Sequence, residues 1–144
     1  MVLKVKIKKD TDVKTPFYAH KGDSGVDLYA AESYLLKPME RKLIGTGIKI
    51  EVPYGYEAQI RPKSGLAIEH GISHANCVGT IDSSYRGEIK VPMINLSDKP
   101  YKIEIGKKIG QMVFAKVEDV IFEEVDELGT TSRNDKGFGS TGLN

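Results

Sequence analysis

The chain of 144 residues has one cysteine and no tryptophan, and its charge is almost balanced. Each shortage removes a class of answer. A single thiol, Cys77, cannot form an internal disulfide, so a reducing cytoplasmic setting is expected. The formal charge of +1, from 21 basic and 20 acidic side chains, supplies no overall pull towards nucleic acid or an anionic membrane, and neither is expected as a partner. No apolar run approaches the ~18 residues of a membrane-spanning helix. The opening MVLKVKIKKD alternates where a signal peptide would be continuously apolar, so a soluble protein is expected. His20, His70 and His74 lack metal-ligand spacing with Cys77, which argues against structural zinc. The Gly-x4-Gly-Lys-Ser/Thr pattern of a P-loop is missing throughout.

What remains is β-patterned. Leu3, Val5 and Ile7 alternate with Lys4, Lys6 and Lys8, which predicts a half-buried strand. Short runs follow in VDLYA, SYLLK, KLIGTGIKI, YEAQI, GEIKVPMIN, KPYKIEIG and IGQMVFAKV, separated by turn signals such as VPYG and LSDKP. Many short, closely spaced strands predict an all-β barrel or sandwich in a single domain. Pro92 lacks a ladder donor, so its strand is expected at an edge or with a bulge. SGLAIEHG is the best site for a helical turn. In VEDVIFEEVDEL the spacing of Val117, Val120, Ile121, Val125 and Leu128 favours a helix. Composition then shifts to Gly, Ser, Thr and charge, and a tail begins.

Four stretches could carry chemistry, each with a plain reading beside the functional one. RNDKGFGSTG, from Arg133 to Gly142, could be a frayed terminus. It also has the parts of a lid over a nucleoside phosphate: Arg133 and Lys136 as cations, Ser140 and Thr141 as donors, amides beside Gly137 and Gly139, and Phe138 to stack on a base. RPKSGLA, from Arg61 to Ala67, is either an ordinary turn or an anion site at a helix start. NCVGTIDSSYRGEIK, from Asn76 to Lys90, reads as two strands joined by a tight loop, whose open end could pair with a planar base edge. There Asp82 could brace the turn or act as general base on a water, and Tyr85 could pack on the sheet or lie beneath a sugar. In GDSGVDLYA, Asp27 could cap a turn, reach a metal through water, or orient another site residue.

Taken together and in order, GDSGVDLYA, RPKSGLA, GTIDSSYRGEIKV, IGQMVF and RNDKGFGSTG resemble the five motifs of the trimeric dUTPase family, from about Asp23 to Gly142. The resemblance implies hydrolysis of dUTP to dUMP and pyrophosphate with Mg2+ on the triphosphate, which supplies dUMP and keeps uracil out of DNA. It implies a distorted β-barrel or jelly-roll-like subunit over residues 1–128, with one short helical turn, and a flexible arm over 129–144 that closes on the nucleotide. It also implies a homotrimer with sites shared between chains. Carried over by position, Asp82 becomes the catalytic base. Asn76, the Gly79–Thr80–Ile81–Asp82 main chain and the strand at Lys90 read uracil, and Tyr85 excludes a 2′-hydroxyl. Lys63, Ser64, Gly65, Gln111, Arg133, Gly139, Ser140 and Thr141 hold phosphates, Phe138 covers the base, and Asp27 touches Mg2+ through water at most. The resemblance also turns VEDVIFEEVDEL from helix to mostly strand.

Three positions depart from the family pattern: Lys63 and Lys108 stand where Arg is usual, and Asn134 where Gly is usual. Two rival readings meet obstacles in the sequence. A dCTP deaminase needs a Glu five residues after Gly87, where this chain has Pro92. A non-catalytic dUTP-binding relative is opposed by the presence of every expected catalytic position.

Overall fold

The computed structural model describes residues 1–143, so Asn144, the last residue of the expected arm, lies outside the described residues. Eleven strands and one helix follow in chain order: β1 (Lys6–Lys9), β2 (Val26–Tyr29), β3 (Tyr34–Leu36), β4 (Arg41–Gly45), β5 (Ile48–Glu51), β6 (Tyr56–Arg61), α1 (Ser64–His70), β7 (Ile72–His74), β8 (Gly79–Ile81), β9 (Lys90–Asn95), β10 (Tyr101–Ile103) and β11 (Lys108–Lys116). All pairing is antiparallel, in sheets of order β1-β5, β10-β3, β2-β11-β6-β8 and β4-β9-β7. The architecture is all-β and jelly-roll-like. Among the described residues the sheets do not close into a barrel, which corrects that half of the expectation.

Period-two burial builds the core. Ile48 and Ile50 of β5, Ala58 and Ile60 of β6, and Val91 and Met93 of β9 turn inward while their neighbours are more exposed. Buried Asn95 ties the loops to this core: its amide donates to Leu36 O at 3.0 Å and Lys99 O at 2.7 Å, and its oxygen accepts from the Ser97 amide. α1 forms within the expected SGLAIEHG stretch and ends on a left-handed cap, with Gly71 at φ 66° and its N–H on Ala67 and Leu66 carbonyls.

Three local expectations fail for physical reasons. β1 starts only at Lys6 and is exposed throughout, Ile7 included, because it pairs with β5 alone. Pro92 sits in the middle strand of its sheet rather than at an edge or bulge. It is tolerated because β7 ends opposite Met93, so beyond it only the Pro92 carbonyl is used, by the Ala75 amide at 2.8 Å. Val117–Leu128 is neither helix nor strand. Its start is held by Val117 N–H on Gly55 O at 2.9 Å and by the Tyr54 hydroxyl on Asp119 at 2.6 Å. Beyond that, Val120, Ile121 and Phe122 are 67%, 95% and 91% exposed. A short β-branched segment is a poor isolated helix, and among the described residues it pairs with no strand.

Candidate active site

The Asn76–Lys90 stretch is not the closed hairpin that its sequence suggests. β8 pairs with β6, in the register Ile60↔Gly79, Gln59↔Thr80 and Ala58↔Ile81, whereas β9 belongs to the other sheet. The two strands are adjacent in sequence and unzipped in space. β8 is therefore a sheet edge with its outer main-chain groups open, and β9 is open at Lys90 and Val91, where β7 does not reach. Between them lies a cleft of about 290 Å³ lined by Asn76, Gly79, Thr80, Ile81, Asp82, Tyr85 and Lys90. Leu43, Ile60, Glu88 and Pro92 complete it.

Residues at the mouth are placed by the loop. The Tyr85 amide donates to Asp82 O at 3.1 Å, so the aspartate's carbonyl closes the turn and its exposed side chain stays at the cleft rim. The Tyr85 hydroxyl donates to Glu88 O at 2.9 Å, which lays the ring over Gly87. A Cβ at Gly87 would come within 2.3 Å of that hydroxyl, so glycine is required there by the ring itself.

A second cluster gathers at the other end of β6. Asp27 on β2 stands opposite Gln111 on β11, and Gln111 stands opposite Arg61 on β6. Asp27, 9% exposed, accepts Lys63 Nζ at 2.6 Å on one carboxylate oxygen and Lys108 Nζ at 3.0 Å on the other. Burial alone would raise its pKa, yet the hydrogen bonds and charges of the two lysines prevail and hold the carboxyl below its usual range. Lys108 is correspondingly pushed up by Asp27. The Gln111 amide donates to Pro62 O at 3.0 Å, bracing the turn that presents Lys63, Ser64 and Gly65 at the start of α1. No side chain caps that helix start, so Ser64 and Gly65 remain exposed there.

The residues do not fit a Mg2+ site of the protein's own. Both oxygens of Asp27 are already committed to ammonium groups, and among the described residues no three His, Cys, Asp or Glu side chains gather to hold a metal. Nor does one chain bring every expected site residue together. From the Ala58–Ile81 pair to Arg61 is about 10 Å along β6 at ~3.3 Å per residue, so Asp82 and Lys63 lie towards opposite ends of that strand. The tail residues Arg133, Gly139, Ser140 and Thr141 are exposed, and Phe138 fully so. Their neighbourhood is folded on itself: Thr131 and Asn134 exchange hydrogen bonds at 2.9 and 3.0 Å, Asn134 takes φ 46°, and Arg133 Nε donates to Lys136 O at 2.7 Å. Sequence reasoning left Lys108 out of the site, although its place beside the IGQMVF motif was a usable signal. Leu43, Ile60, Glu88 and Pro92 carried none, since only the meeting of two sheets puts them in the cleft.

Known proteins share this sequence and fold. The family model described as dUTPase matches residues 11–142. The chain is 58% identical to a deoxyuridine 5'-triphosphate nucleotidohydrolase of Clostridium kluyveri, covering 88% of this chain and 89% of the relative. It is 54% identical to the one of Finegoldia magna, covering 97% and 99%. Among solved structures, the dUTPase of Staphylococcus bacteriophage 80alpha with dUpNHpp superposes with a TM-score of 0.90 at 25% identity, covering 97% of this chain and 99% of that one. A mutant dUTPase from phage phi11, described with a structural Mg(II) ion, shares the fold at a TM-score of 0.81 and 21% identity, covering 88% and 99%. Five motifs in order, an unzipped strand pair over a base-sized cleft, and relatives matched over nearly their full length lead to one conclusion: the chain belongs to the dUTPase family and is a nucleotidohydrolase of dUTP.

Proposed function

We propose that a water polarised by Asp82 attacks the α-phosphorus of dUTP, giving dUMP and pyrophosphate. The new P–O bond forms from the water oxygen as the α–β bridging bond breaks. Its electron pair leaves with pyrophosphate, and the water's proton passes to the Asp82 carboxylate. The observation that carries this reading is the open edge of β8 facing Lys90 across the cleft, with Asp82 and Tyr85 at its mouth. Uracil pairs with the main chain from Gly79 to Asp82 and with Asn76. Cytosine, changed at N3 and C4, would leave those groups without partners. Tyr85 lies under the deoxyribose and leaves no room for a 2′-hydroxyl.

Lys63, Ser64, Gly65 and Gln111 hold the phosphates. Mg2+ arrives on the triphosphate as part of the substrate, and any reach of Asp27 to it runs through water. Residues 129–144 act as an arm: Phe138 covers the base, while Arg133, Gly139, Ser140 and Thr141 meet the phosphates. The working form is a homotrimer with sites shared between chains. Two features support this: the separation of Asp82 from Lys63 along β6, and the apolar side chains Val120, Ile121 and Phe122 that one chain leaves in water. Among the described residues no helix is long and apolar enough to cross a membrane, and an exposed Cys77 suits a reducing cytoplasm.

The test is pyrophosphate release from dUTP, dCTP, dTTP and UTP by the intact protein, Asp82→Asn and a chain ending at Thr131. Turnover of dUTP alone, lost in both variants, is the expected result. Full activity in Asp82→Asn would overturn the assignment of the base, and full activity by monomers in sedimentation would overturn the shared site.

A further inference from the structure

β11 carries a defect where it enters the phosphate cluster. Lys108 pairs with Tyr29 and Gly110 with Leu28, so the β2–β11 register skips Ile109 at a bulge. On the opposite side β6 has already ended, its last pair being Arg61 with Gln111. Ile109 thus has no ladder partner from either neighbour, although its residue is only 2% exposed. A buried carbonyl in that position needs a donor. His74 supplies it from another sheet: Nε2 of the β7 histidine lies 2.8 Å from Ile109 O. A carbonyl only accepts, so Nε2 carries the proton. Burial depresses the imidazole pKa more than this hydrogen bond raises it, so the ring is neutral at pH 7. Gly110 makes the approach possible, since a Cβ there would lie 2.9 Å from His74 Cε1 and 3.3 Å from Arg61 O.

We propose that His74 is a positioning residue for dUTP hydrolysis: by holding the bulge at Ile109 it fixes which way Lys108 and Gln111 point, and so aligns the phosphate half of the site. The proposal rests on the phosphate role given above to Lys63, Ser64, Gly65 and Gln111. Its physical basis is the period of two along a strand. If the bulge moves by one or two positions along β11, the side chains it passes change face: a shift towards Gln111 would take Gln111 from Pro62, and a shift towards Lys108 would take Lys108 from Asp27. A histidine that merely filled the core would affect stability and leave ligand discrimination alone. β7 is paired with β9 through its own main chain, so removal of the ring leaves the base cleft in place.

The experiment compares wild type, His74→Leu and His74→Gln, in kcat and KM for dUTP and in calorimetric affinity for dUMP and for dUpNHpp. His74→Leu keeps bulk and removes the donor. It is expected to lose about tenfold in affinity for dUpNHpp with dUMP nearly unchanged, and to lose kcat/KM for dUTP by a similar factor. His74→Gln, whose amide nitrogen reaches nearly the same place, is expected to restore most of both. Nitrogen-15 shifts of His74 in the wild type should report the Nε2-protonated neutral tautomer. Should His74→Leu fail to fold, Gly110→Ala, which crowds the ring with one methyl group, is read in its place with the same analogue-selective loss expected. The proposal is overturned by a variant that melts earlier yet keeps the wild-type ratio of dUpNHpp to dUMP affinity, or by an Nδ1-protonated ring. If the wild type itself binds dUpNHpp no tighter than dUMP, the phosphate assignment fails and the proposal falls with it. A wild-type preference retained in His74→Leu sinks the proposal alone.

Discussion

The base cleft and the phosphate cluster share β6 and are built in opposite ways: the cleft runs along β6 from Ile60 towards the Asp82 end, and the cluster lies at and beyond Arg61. At the Lys63 end the charged and amide side chains are paired inside the protein: Asp27 with two lysines, Gln111 with Pro62 O. At the Asp82 end the strand edges of β8 and β9 face each other without pairing, and the cleft between them holds bare main-chain groups. The first half has its side chains paired before any ligand arrives, and on the proposed reading Lys63 must exchange partners to take a phosphate. The second offers hydrogen bonds that only a ligand of the right edge pattern completes. On the proposed reading, positioning and discrimination are separated: side-chain pairs fix where charge goes, and fixed backbone decides which base fits.

Substitutions on the two sides should fail differently. The largest effect is expected for Asp82→Asn, which removes the base at the cleft mouth but keeps its shape: turnover should fall ~10²–10⁴-fold with dUpNHpp affinity nearly unchanged, read by steady-state kinetics beside calorimetry. Phe138→Ala comes next. Its ring is fully exposed in the single chain, so folding should be untouched while dUTP-analogue affinity drops by about 1–3 kcal/mol, the cost of a lost stacking contact. An unchanged affinity would mean that the arm does not cover the base.

Asp27→Asn tests the pre-paired half. It should lower stability by about 1–2 kcal/mol, discounted because Lys108 is half exposed. The pH dependence follows from the sign of the shift. The folded pKa of Asp27 is depressed, so its contribution is present above the unfolded value and is lost as pH falls through the folded one. Urea melts should separate wild type from Asp27→Asn at pH 7 and bring them together only once the pH has fallen below the depressed folded pKa. The smallest effect is expected for Lys63→Arg. The guanidinium adds a bidentate fork without changing charge, and dUTP KM should shift by less than about fivefold. A larger change would show that the compact ammonium is needed to fit between Asp27 and the substrate.

Much of this was legible along the chain because strands and caps are local. Alternation in KVPMIN and YEAQI marked β9 and β6, and SGLAIEHG marked a helix that ends on Gly71 in the left-handed conformation. The motif residues Asp27, Lys63 and Gln111 could be collected from sequence, but their mutual contacts could not, since Lys63 and Asp27 are 36 positions apart. Pro92 misled because its penalty depends on where the neighbouring strand stops. Val117–Leu128 misled because its apolar periodicity is not matched by burial: Val120, Ile121 and Phe122 stay exposed in the single chain.

The sequence by itself determined the chemical inventory and where most strands lie along the chain, because residue type and period-two patterning are properties of short windows. Only the tertiary structure decided that β8 and β9 part into different sheets, that two lysines converge on Asp27, and that a histidine from β7 reaches the bulge in β11. Those three features are set by which sheet edges pair and where each pairing ends, and that depends on contacts between windows that no single window contains.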